Sequence, residues 1–185
     1  EFVDEVLADF GEGDYLILQN EINMVGEIIR LSHEKGCRVV FNASPIPKNP
    51  EELPLELVDI FMVNELEAAA LAGTSTDGDF RDILKALQKK YPKAAIVMTL
   101  GKEGVLYGYK EEFYSHPIFK VNAVDTTAAG DTFCGYFLAA LCAEKSVEMA
   151  LREASAASAM AVSAKGAAPS IPVHSAMEEW LRGRS

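Results

Sequence analysis

The sequence predicts an α/β protein built on a mainly parallel sheet, and two observations carry that reading. Four short apolar runs, Tyr15–Gln19, Arg38–Asn42, 59–63 and Ala95–Thr99, have the unbroken hydrophobicity of strands covered on both faces. Segments with helical spacing fall between them, and strand alternating with helix is the pattern of right-handed βαβ units.

Each element has its own warrant. The segment 22–35 places Ile22, Val25, Ile29 and Ser32 on one side of a helix, and Gly36 follows as a left-handed stop. Phe80–Lys90 gathers Ile83, Leu84 and Leu87, with Asp79 at its start. After Gly101 the pattern changes, because 104–109 and 113–116 flank Lys110, Glu111 and Glu112 as the arms of a hairpin would. The stretch 121–124 reads as extended. Alanine then dominates 128–141 and 150–164, which predicts two closely packed helices. Gly166, Pro169 and Pro172 interrupt them, and 177–181 makes a last short helix.

Composition bounds the function. The 185 residues are 49% hydrophobic, enough for one core, so a single domain over 1–185 is expected. A net charge of −11 speaks against nucleic acid or an anionic membrane as partner, since both need clustered Lys and Arg. Cys37, Cys134 and Cys142 form no CxxC pair, and no apolar stretch has the length of a membrane span. A soluble protein of the reducing cytoplasm is the expectation. His33, His116 and His174 lie in unlike settings and imply no metal cluster. Cys134 and Cys142 read as small core residues.

The segment with the most chemistry is Asp125-Thr126-Thr127-Ala128-Ala129-Gly130-Asp131-Thr132-Phe133, at the entry to the first Ala-rich helix. A helix entered through small residues leaves backbone N–H groups and a positive dipole end open to phosphate oxygens. Asp131 in the first turn is placed to take a proton from an attacking hydroxyl, although an isolated Asp there is more readily explained by the helix dipole, and the surrounding motif reverses that weighting. Asn64 and Glu67 read as a helix start with a capping box.

Asp-Thr-Thr-Ala-Ala-Gly-Asp resembles the second signature of the ribokinase-like (PfkB family) kinases, and other family features follow in the expected order. Asn64-Glu65-Leu66-Glu67 resembles the NxxE motif, and Thr99-Leu100-Gly101-Lys102-Glu103-Gly104 resembles the family's loop along the nucleotide. The resemblance implies a ribokinase-like three-layer fold and transfer of the γ-phosphoryl group of ATP to a sugar hydroxyl. It makes Asp131 the base, and it places the anion-hole amides on Ala128, Ala129, Gly130 and Asp131. Asn64, Thr99, Gly101, Gly104 and Ser155 fall at nucleotide positions, with Lys102 a weaker case. Glu67 and Asn64 fall toward Mg2+, largely through water. Asp125, Thr127, Val162, Lys165, Gly166 and Ser170 fall around a monovalent cation, K+. Glu21, at the end of the first strand, falls where the family presents a carboxylate to the sugar, beside Asn42 as a further polar group; it reads equally as an exposed acid. The Ala-Ala-Gly-Asp-Thr-Phe wording and Glu21 favour ribose, with fructose, 2-keto-3-deoxygluconate and adenosine as the alternatives. A non-catalytic nucleotide-binding module is the reading from another class. The family's front part, which holds the lid and much of the sugar site, has no counterpart here, so an open sheet edge and weakened sugar binding are expected. A homodimer is expected of the full-length enzyme.

Overall fold

The computed structural model describes residues 2–184. A six-stranded sheet runs in the order β1 (Tyr15–Gln19), β2 (Arg38–Asn42), β3 (Ile60–Asn64), β4 (Ala95–Thr99), β5 (Val105–Tyr109) and β6 (Glu112–His116). The first four strands are parallel. The connections from β4 to β5 and from β5 to β6 are too short for a parallel crossover, which makes the last strands antiparallel. The sheet is therefore mixed, as the change of pattern after Gly101 implies.

The chain divides into two compact units. One holds the residues through Thr99 together with Leu106–Phe113; the other holds Leu100–Val105 and the residues from Tyr114 onward.

In the first unit the core forms where parallel strands meet helices. Val39, Val40 and Phe41 of β2, Phe61 of β3 and Ile96, Val97 and Met98 of β4 are buried. Phe61 meets Phe41 edge-on and lies 4.9 Å from the Tyr91 ring, between centroids. Helix α2 (Val25–Glu34) buries Val25, Ile29 and Ser32 against β2, and α4 (Phe80–Lys90) buries Ile83, Leu84 and Leu87. Asp79 caps α4 by accepting from the Arg81 N–H at 2.8 Å. Gly36, at φ 80°, supplies the left-handed stop after α2.

Several expectations change. Ile22 is 54% exposed and lies ahead of α2, because Met24 at φ 65° breaks the helix before it can reach back. Burial on both faces holds for β2 to β4 but not for β1, an edge strand on which Ile17 is 51% exposed. Such an open strand edge is the feature proteins ordinarily cover. The third strand starts at Ile60, since Asp59 is spent on connections: its carboxylate accepts from the Val39 N–H at 2.8 Å and its carbonyl from the Ala95 N–H at 2.8 Å. Residues 121–124 form no strand. A short helix, α1 (Phe2–Val6), precedes β1 and buries Val3, unannounced by any periodicity.

The second unit is helical. Helix α5 (Ala129–Cys142) packs on α6 (Val147–Val162), which packs on α7 (His174–Arg182). Alanine makes the close approach possible, and Ala150, Ala154, Ala156, Ala157 and Ala161 are each at most 1% exposed. Ala156 and Ala157 join Met177 and Leu181 in a cluster flanked by Phe119, Tyr136, Met160 and Trp180.

Candidate functional site

The carboxyl ends of the parallel strands bring polar residues into line. Gln19 is the register partner of Asn42, and Asn64 is the partner of Thr99. This is the edge at which open α/β sheets bind ligands. Beside it the Asn20 N–H donates to the Ser44 carbonyl at 3.2 Å, and its Nδ2 donates to the Pro45 carbonyl at 3.0 Å. Glu21 stands exposed in the turn that follows. The Thr99 hydroxyl donates to the Val63 carbonyl at 3.4 Å.

Asn64 also opens α3 (Glu65–Ala72). Its Oδ1 accepts from the Glu67 N–H at 2.8 Å while Oε2 of Glu67 accepts from the Asn64 N–H at 2.8 Å, a complete capping box. The box fixes a 7% exposed carboxylate at the sheet's carboxyl edge. It engages Oε2 of Glu67 and leaves the other carboxylate oxygen outside the box. That donor set fits magnesium, which keeps most of its waters.

In the second unit the chemistry gathers where α5 begins. The Ala129 N–H donates to the Thr126 carbonyl at 3.2 Å, and the Thr132 N–H donates to the Ala128 carbonyl at 2.9 Å. Among the described residues the N–H groups of Ala128 and Gly130 have no protein acceptor. Three of the expected anion-hole residues thus differ: Ala128 and Gly130 present open donors, while Ala129 closes the turn that shapes them. Asp131 is exposed in the first turn of α5. From it a pocket of about 520 Å³ runs past Gly135 and Tyr136 to Lys145 and Glu153.

The signature loop is tied to the segment after α6. Oδ1 of Asp125 accepts from the Thr127 N–H at 3.0 Å and from the Thr127 hydroxyl at 2.6 Å, and Oδ2 accepts from the Gly166 N–H at 3.1 Å. These bonds hold the Asp125 carboxyl below its ordinary pKa, the Thr127 hydroxyl being the largest cause. The Val162 carbonyl accepts from the N–H groups of Val124 and Asp125 at 2.7 and 3.2 Å, so it joins the two loops. Ser170 is buried, and its hydroxyl donates to the Ala167 carbonyl at 2.7 Å. Asp125 thus accepts three bonds, which leaves its carboxylate one further lone-pair site.

The loop after β4 is closed on itself: the Leu100 N–H donates to the Gly104 carbonyl at 2.8 Å, and Gly101 and Gly104 both have positive φ. Ser155 lies half-buried on α6. Two features have no simple sequence signal. The Lys145 ammonium lies 2.6 and 2.9 Å from the two oxygens of Glu153. The Ser158 hydroxyl donates to the Ala129 carbonyl at 3.0 Å, a pairing only the packing of α6 on α5 could reveal.

Comparison with known proteins follows the same lines. The profile described as "pfkB family carbohydrate kinase" matches residues 6–174. The chain belongs to that family. Among its pfkB relatives, a ribokinase of Haemophilus influenzae is 37% identical over 178 residues, covering 94% of this chain and 58% of the relative. A ribokinase of Staphylococcus aureus is 33% identical over 165 residues, covering 86% and 54%. The crystal structure of Thermotoga maritima ribokinase superimposes with a TM-score of 0.79 at 34% identity, over 91% of this chain and 57% of that one. Arabidopsis thaliana ribokinase, solved with ribose and ATP, gives a TM-score of 0.80 at 31% identity, over 91% and 55%. This pfkB chain therefore has the ribokinase-like fold and spans a little more than half the length of these relatives. No helix among its described residues is long and apolar enough to cross a membrane.

Proposed function

We propose that the chain is the nucleotide-binding and catalytic part of a sugar kinase that transfers the γ-phosphoryl group of ATP to a hydroxyl of ribose. The observation that carries this is the start of α5, where the open N–H groups of Ala128 and Gly130 adjoin the exposed carboxylate of Asp131. Membership of the pfkB family and likeness to ribokinases, one of them solved with ribose and ATP, support the substrates.

In this reading the N–H groups of Gly130 and Ala128 stabilise charge on the transferring group, and Asp131 accepts the proton of the attacking hydroxyl. Little covalent chemistry falls to the protein, and positioning with electrostatics does most of the catalysis. Asn64 and Glu67 orient the waters of Mg2+, whose charge offsets that of the phosphates. Asp125 with the carbonyls of Thr127, Lys165 and Gly166, and with Ser170, holds K+, while Val162 braces the loop. Thr99, Gly101, Gly104 and Ser155 contact the nucleotide, and Glu21 meets the sugar. The 185 residues act as one part of a single catalytic domain, cytoplasmic and dimeric in the whole enzyme.

The test is ATP-dependent phosphorylation of ribose, fructose, 2-keto-3-deoxygluconate and adenosine, with and without K+, for the chain, for the chain joined to the front part that its relatives carry, and for the Asp131→Asn variant of the joined protein. Ribose-dependent ADP release that falls about 100-fold or more in the variant, with ATP still bound, is the expected outcome. ATP binding with no sugar-dependent turnover in either form would instead assign a nucleotide-binding module.

A further inference from the structure

We propose that Ser158 is a positioning residue for the phosphate-binding turn of α5; the assignment rests on the kinase reading above. The Ser158 hydroxyl, carried on α6, donates to the Ala129 carbonyl at 3.0 Å. That carbonyl belongs to the same planar peptide unit as the Gly130 N–H, and in a trans peptide the two point in opposite directions. Holding the oxygen from behind therefore fixes the direction in which the Gly130 N–H faces a phosphate. The bond also draws electron density toward the oxygen and leaves the N–H a stronger donor.

The preceding peptide is fixed independently, since the Ala129 N–H donates to the Thr126 carbonyl at 3.2 Å. Residue 129 is thus held at both ends, by its own turn at nitrogen and by α6 at oxygen. Without Ser158 the Ala129 oxygen keeps only the bond that α5 itself gives it, from the Phe133 N–H four residues on, and the Gly130 donor sits on a peptide held by one bond fewer. The hydroxyl is spent on a backbone group already inside a helix, so it adds little to helix formation itself. A serine in mid-helix is slightly worse than alanine by propensity, which separates this role from a purely structural one.

The experiment is calorimetric titration of the 185-residue chain with ATP and with ADP, for wild type, Ser158→Ala and Ser158→Thr, with thermal midpoints recorded. Ser158→Ala is expected to weaken ATP about fivefold and leave ADP unchanged, because only ATP brings a γ-phosphate to Gly130. The midpoint should not fall, and Ser158→Thr, which keeps the hydroxyl, should restore ATP binding. Equal loss for both nucleotides, or no loss for either, overturns the proposal. If the wild-type chain binds neither nucleotide, the kinase reading fails on its own. Amide exchange then decides Ser158: faster exchange at Gly130 in Ser158→Ala, reversed in Ser158→Thr, supports it, and unchanged exchange overturns it.

Discussion

The carboxylate of Asp125 reaches the backbone N–H of Gly166 at 3.1 Å, joining the loop before α5 to the loop after α6. Because the same carboxylate also accepts two bonds from Thr127, one side chain shapes both loops at once.

Acid should loosen this tie. The folded state holds the Asp125 carboxyl below its ordinary pKa, so its stabilisation is complete above the unfolded value of about 3.9 and is lost as pH falls through the lower folded value. Asp125→Asn removes the titration. The midpoint advantage of wild type over the variant should be constant above about pH 5 and shrink below pH 4, as thermal unfolding across that range will register.

The capping box and a magnesium role can be separated at Glu67. Asn64→Ala removes the acceptor for the Glu67 N–H and should cost about 1 kcal/mol by denaturant unfolding. Glu67→Gln keeps an oxygen for the Asn64 N–H but loses the charge. Its stability should stay within about 0.5 kcal/mol of wild type while the Mg2+ needed for half-maximal ATP turnover rises.

Lys145 and Glu153 form a partly enclosed ion pair, with side chains 29% and 8% exposed. Lys145→Met strands the more buried charge and should cost about 3 kcal/mol. The double variant Lys145→Met, Glu153→Leu should recover most of that loss, since a paired charge is replaced by apolar surface. A double-mutant cycle in urea measures the coupling; strict additivity would show that the pair is solvated.

Gly104 has φ 104°, and a Cβ built on it would run into the His116 carbonyl. Gly104→Ala meets both left-handed strain and a backbone clash, so a loss of about 3 kcal/mol or more is expected. Gly101→Ala, at φ 53° with open space around the added carbon, should cost only about 1 kcal/mol. Thermal midpoints of the two variants give the comparison.

The parallel strands were legible because Val39–Phe41 and Ala95–Met98 are unbroken apolar runs of the kind that strands covered on both faces carry. Local hydrogen bonding made Asp79, Asn64 and Glu67 legible as caps. The exposure of Ile17 on β1 and of Ile22 ahead of α2 was not, because an edge strand carries the same residues as a covered one and Met24 takes a left-handed turn that no propensity announces.

By itself the sequence determined the α/β class, the order of the strands' apolar runs, the two Ala-rich helices and the Asp-Thr-Thr-Ala-Ala-Gly-Asp turn, because these depend on periodicity and on neighbours a few residues apart. Only the tertiary structure decided that Ala129 closes the turn while Gly130 stays open, that Val162 braces Asp125, that Lys145 meets Glu153 and that Ser158 reaches Ala129. Val162 and Ser158 reach segments distant in the chain, and Lys145 meets Glu153 because α6 folds back on α5. A hydroxyl or a carbonyl has the same chemistry in every sequence, and packing alone selects its partner.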